Sequence, residues 1–205
     1  MILLRGATVI DGTGADPQPD GTVVLDGDRI ASAAERPPAG GADEVLDLDG
    51  LTVLPGLIDA HTHFGILGHA EGMVPPAVTA ARIFRNCELA LEGGFTTVRD
   101  TGGIDGGVAH AVALGLVPGP RILPSGPLIC QSGGHGDESP PFGLHHHDAP
   151  GVPGLAMMSL PCDGPDEVRL AARTVLRRGA TQVKVCVSGG VVSLTDRLED
   201  TQFTV

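Results

Sequence analysis

The run Asp59-Ala60-His61-Thr62-His63 places two imidazoles two residues apart. Side chains alternate faces along a strand, so His61 and His63 leave it on the same side and can chelate one cation. The same spacing also suits two polar residues where a strand runs out into solvent, so the pair alone leaves the chemistry open. A second residue narrows it. Of the 13 basic residues, 12 are arginine and one, Lys184, is lysine. In Gln182-Val183-Lys184-Val185-Cys186-Val187 the valines share one face of a strand and Lys184 the other. If the valine face packs on helices, Lys184 points inward among strand ends. A buried ammonium without a partner tends to lose its proton. The neutral amine can take up carbon dioxide as a carbamate, an anionic oxygen ligand that the always-protonated guanidinium of arginine does not form. The alternative is a lysine on an exposed strand edge.

These residues need strands to hold them. Residues 2 to 49 read as short strands: Ile2 to Ile10, Val23 to Leu25, Arg29 to Ala33 and Val45 to Leu48, with a hairpin turn at Asp26-Gly27-Asp28. Pro37 to Gly41 reads as a loop. From Thr52 strands and helices alternate. A strand ends at His61; a helix from Pro76 to Leu91 stops at Gly93-Gly94; Phe95 to Arg99 is a strand. A short helix from Gly107 to Leu114 precedes a strand at Arg121 to Pro124. Ser125 to Leu160 reads as a long loop, rich in glycine, proline and histidine. Proline at 165 with Asp166 and Glu167 opens a helix that Gly179 closes, and Thr181 to Val187 is the fourth strand. Four such units make an α/β fold with parallel strands, either an open sheet or part of a (β/α)8 barrel. The expected domains are 1–51 and 52–205.

Composition excludes other classes. A formal charge of -12, without clustered Lys or Arg, argues against nucleic-acid binding. The four cysteines form no Cys-x-x-Cys pair, so reduced, buried thiols are expected. There is no basic leader with a long apolar core, and no apolar run approaches the ~20 residues of a bilayer span. A soluble cytoplasmic protein is the expectation. Gly102-Gly103-Ile104-Asp105-Gly106-Gly107 lies where phosphate loops sit but matches no phosphate-binding pattern, and reads as a flexible β/α loop.

The run Val53-Leu54-Pro55-Gly56-Leu57-Ile58-Asp59-Ala60-His61-Thr62-His63 resembles the entry motif of the amidohydrolase superfamily. Phe95 to Gly103, Gly119 to Ile122 and Ser132 to Asp137 resemble its imidazolonepropionase-like group, which includes Xaa-Pro dipeptidases. The resemblance implies the first half of a (β/α)8 TIM-type barrel preceded by part of a small β-sandwich. It implies His61 and His63 as strand-one metal ligands, and Lys184 as the strand-four carbamylated lysine bridging two divalent cations, typically zinc. It makes His135 a substrate contact. His145 to His147 and Asp59 carry no role in this reading. The implied activity is metal-dependent hydrolysis of a C–N bond in a dipeptide-like or N-acyl amino acid substrate, with a cyclic amide, lactone or phosphotriester as alternatives.

The superfamily pattern also needs histidines after strands five and six and a general-base aspartate after strand eight. No histidine follows His147, and Asp196 and Asp200 directly follow the fourth strand. The 205 residues alone are therefore expected to be inactive, to bind zinc weakly and to be poorly soluble unless completed. The completing partner would be a C-terminal half or another copy; the other reading is an inactive fragment or one subunit of a split barrel.

Overall fold

The computed structural model describes residues 1–34, 41–66, 74–137, 139, 151–191, 193 and 195–203. The chain divides into two compact units, Met1–Gly56 and Leu57–Val205.

The first unit is a sheet of β1 (Ile2–Val9), β2 (Gln18–Asp26), β3 (Arg29–Ala34), β4 (Glu44–Asp47) and β5 (Thr52–Val53). Its order is β3-β2-β1-β4, with β5 also paired to β1. The β2–β3 hairpin turns where Gly27 adopts φ 60°, a left-handed conformation that glycine takes without steric cost. Ala7, Val9, Val23 and Val24 are buried. The expected loop at residues 37–41 falls outside the described residues except for Gly41.

The second unit begins with β6 (Leu57–Thr62), α1 (Pro76–Glu92), β7 (Phe95–Asp100), α2 (Gly106–Ala113) and β8 (Arg121–Pro124). The strands pair in the order β6-β7-β8, all parallel, as βαβ crossovers require. The core unites Phe64, Ile83 and Cys87 of α1, Val98 of β7, Ile104, Val108 of α2 and Ile122 of β8. Ile83 and Cys87 lie one turn apart on α1 and make its buried face.

Ser125 to Leu160 is not a simple loop. It holds β9 (Leu128–Cys130), β10 (Gly151–Val152), β11 (Ala156–Met157) and β12 (Ser159–Pro161), and β9 pairs in parallel with β12. Each is only two or three residues long, too short to show an alternating apolar pattern. α3 (Pro165–Arg177) follows, burying Ala171 and Val175.

The fourth strand also needs correction. Residues 181–187 run parallel to β9 through a single bridge, Val185 to Ile129, rather than through a regular ladder. Ile129 N–H donates to the Lys184 carbonyl and Cys186 N–H to the Ile129 carbonyl, each at 2.9 Å. The cause is in the neighbouring strand: Gly126 at φ 70° and Pro127, which has no N–H, separate β8 from β9. The inward set holds, with Cys186 buried and Lys184 half-buried. The valines do not pack as expected: Val183, Val185 and Val187 are 37%, 36% and 62% exposed. After Val187 the described chain returns through an antiparallel bridge, Ser188 to Thr201, and forms no helix to cover them.

The Gly102–Gly107 loop is not loose either. Ile104 and Asp105 are 0% and 1% exposed, and the Asp105 carboxylate holds backbone. Asp105 caps α2 by accepting from Gly106 N–H and also accepts from Gly154 N–H at 3.0 Å. It pairs with Arg178 beyond the end of α3.

Candidate metal centre

β6 carries His61, and His63 follows directly after its end. Their Nε2 atoms stand 3.2 Å apart, with ring centroids 5.1 Å apart in an edge-to-face arrangement. Two imidazole nitrogens on one tetrahedral zinc at about 2.0–2.1 Å would stand roughly 3.3 Å apart. The pair is thus spaced as two ligands of a single ion.

Protonation favours the same use. His63 Nδ1 lies 3.0 Å from the Gly102 carbonyl, which can only accept. His63 Nδ1 therefore carries a proton, which makes Nε2 the lone-pair nitrogen of the neutral ring; tying down the outer nitrogen is how ligating histidines are usually oriented. Thr101 Oγ1 lies 3.5 Å from that Nε2. His61 is held below the ordinary histidine pKa, first by desolvation, then by the positive charges of Lys184, His63 and Arg99, with Asp59 opposing. A neutral imidazole is the form that binds metal.

The loop after β7 supplies the orienting carbonyl. Gly102 sits at φ 141°, and a Cβ there would come 2.6 Å from Leu128 Cδ2. Only glycine turns its carbonyl to His63 without that clash. Beneath it, Asp100 is 0% exposed. One carboxylate oxygen accepts from Phe64 N–H at 2.7 Å and the other from Gly102 N–H at 3.1 Å. Burial pushes the Asp100 carboxyl up to about 7, against the opposite pull of backbone donors from Phe64, Gly102 and Ile104.

Lys184 is near enough for its charge to depress His61, so the sequence's separate signals meet in one region. Its carbonyl is tied to β9. His135 lies in the turn after β9: its Nδ1 is 3.2 Å from Ser193 Oγ, and its ring fills the space where Gly190 lacks a side chain. Among the described residues no third His, Cys, Asp or Glu gathers to complete a metal cluster. Two nitrogen donors, with an amine that can become an oxygen donor, fit part of a divalent-metal shell. His145 to His147 fall outside the described residues. Sequence reasoning did not single out Asp100 or Thr101; Asp100 directly ending a strand of β-branched residues was the available signal.

The profile of the amidohydrolase family matches residues 52–205, and the chain belongs to that family. It is 36% identical over 168 residues to ochratoxinase from Aspergillus niger, covering 74% of this chain and 34% of that protein. A prolidase crystallised with N-methylphosphonate-L-proline superposes with a TM-score of 0.84 at 36% identity, over 99% of this chain and 50% of that one. A Xaa-Pro dipeptidase with methionine in its active site gives a TM-score of 0.84 at 30% identity, over 99% and 51%. The chain thus spans about a third of ochratoxinase and half of those two structures. It is an α/β chain corresponding to half of a TIM-barrel amidohydrolase.

Proposed function

We propose that the chain is the N-terminal half of a metal-dependent amidohydrolase that cleaves the C–N bond of a dipeptide-like or N-acyl amino acid substrate. The observation that carries this is the 3.2 Å approach of the His61 and His63 Nε2 atoms, with the His63 outer nitrogen bound to the Gly102 carbonyl. The prolidase and Xaa-Pro dipeptidase likenesses support peptide-bond hydrolysis over the lactone and phosphotriester alternatives.

In this reading His61 and His63 each give an Nε2 lone pair to a divalent cation, zinc in our proposal. Lys184, as its carbamate, would add an anionic oxygen donor to that shell. When bound, the metal supplies Lewis-acid polarisation of the scissile carbonyl and of the attacking water. His135, held by Ser193, contacts the substrate from the turn after β9. The remaining histidines and the general-base aspartate lie outside these 205 residues, on a completing C-terminal half; the working location is the cytoplasm. No described helix is long and apolar enough to cross a membrane.

The test is an assay of the completed barrel against a library of dipeptides and N-acyl amino acids. Turnover is expected with Xaa-Pro or N-acyl substrates, and a loss of at least about 100-fold in His61→Ala, His63→Ala and Lys184→Arg. Full turnover in the histidine variants would overturn the assignment. For Lys184, 13C-enriched bicarbonate is expected to give a carbamate carbon signal that Lys184→Arg lacks.

A further inference from the structure

Asp100 is the buried carboxylate that the chemistry above leaves without a role. It touches no proposed metal ligand directly and is 0% exposed, so neither substrate nor cation reaches it. Yet its two oxygens grip both sides of one residue. Oδ2 accepts from the N–H of Phe64, the residue that follows His63, at 2.7 Å. Oδ1 accepts from the N–H of Gly102 at 3.1 Å, and the carbonyl of that same Gly102 lies 3.0 Å from His63 Nδ1. The relay runs from a fixed anion, through one peptide on each side, to a single imidazole.

We propose that Asp100 is a positioning residue for His63: it fixes the backbone after the histidine and the carbonyl that sets its tautomer, so that Nε2 is presented unprotonated. This rests on His63 being a metal ligand. Three observations support it beyond the distances. Gly102 at φ 141° has no regular-strand partner to fix its orientation, so the Asp100 bond is what holds it. The donors are buried, and a buried N–H left without an acceptor is costly, so the two peptides stay aligned only while both oxygens can accept. An amide at this position has one acceptor oxygen, and its NH2 would face at least one of the backbone N–H donors from Phe64, Gly102 and Ile104. Isosteric replacement should therefore release one side of His63 without opening a cavity.

The experiment uses the 205-residue chain with 15N-labelled histidine at pH 8, where Asp100 is ionised, and zinc ion as the only probe. Long-range 1H–15N spectra report which His63 nitrogen carries the proton, and the titration gives the zinc affinity. For the wild type, the Nδ1–H form of His63 and zinc-dependent shifts of both Nε2 signals are expected. For Asp100→Asn, the Nδ1–H form loses population and zinc binds about 10- to 100-fold more weakly, the usual effect of removing an outer partner of a ligating histidine. Val175→Ala, which removes buried volume from α3 in the same unit, controls for lost stability and should leave tautomer and affinity unchanged. If Asp100→Asn gives no folded chain, Asp100→Ser, which fits the volume but cannot serve both donors, is read the same way. A wild-type tautomer and affinity in the folded Asp100 variant would overturn the proposal, as would an equal change in Val175→Ala. If zinc fails to shift the His61 and His63 signals of the wild type, the metal-site reading itself falls, whatever the Asp100 variants do.

Discussion

Single residues here are governed by competition between burial and backbone donors, and Asp100 shows the balance in measurable form. Its carboxyl is pushed up to about 7 by burial, above the ordinary value near 4 that it would have in the unfolded chain. The sign follows from linkage: the folded state binds this proton more tightly than the unfolded state. Its contribution to stability is full below about pH 4 and is lost as pH rises through about 7. Thermal unfolding of the chain between pH 4 and 8 should therefore show a falling component that Asp100→Asn removes; an identical slope in the variant would contradict the assignment. Cys87 lies in the same core, and burial, aided by the Asp100 charge, pushes its thiol up to about 12. Slow alkylation of Cys87 in the native chain, and fast alkylation in urea, is the expected outcome.

At the scale of elements, the unit from Leu57 onward is joined by the Asp105–Arg178 pair, which ties the N-terminus of α2 to the end of α3 and, through Gly154 N–H, to the β10–β11 hairpin. The carboxylate is almost fully buried and Arg178 is 22% exposed. Removing one partner of such a pair strands the other charge, so Arg178→Ala should cost about 3–5 kcal/mol in urea unfolding, while replacing both by apolar residues of similar size should cost far less. The tight packing around the pair explains the glycines beside it. A Cβ on Gly106 would lie 2.1 Å from the Arg178 carbonyl oxygen, and one on Gly107 2.0 Å from that of Gly154. Gly107→Ala is expected to lower the thermal midpoint by several degrees, because the obstruction is backbone and cannot swing aside.

On the scale of the whole molecule, apolar side chains remain uncovered along the edge strand and beyond the fourth strand. β6 is an edge of its sheet, with Ile58 70% exposed, and Val191 is 83% exposed. An edge strand with an exposed apolar face is a template for pairing with another chain. We expect the isolated 205-residue chain to self-associate on a sizing column, and Ile58→Lys to raise its soluble yield without changing its circular dichroism. Unaltered, fully monomeric behaviour of the unsubstituted chain would count against this.

What the sequence determined by itself was local. Alternation along a strand put His61 and His63 on one side, helix stop signals at Gly93-Gly94 and Gly179 marked the ends of α1 and α3, and the lone lysine among valines marked Lys184. These depend on neighbours within a few residues, where side-chain periodicity and backbone preference act directly. The tertiary structure decided the rest. It brought Asp100 beneath His63 across 36 residues of separation to Phe64, tied Asp105 to Arg178 across 73, and broke the fourth strand's ladder because Gly126 and Pro127 interrupt its neighbour. Such contacts are set by which strands lie side by side and by which buried polar groups must find partners there, and neither is written in local spacing.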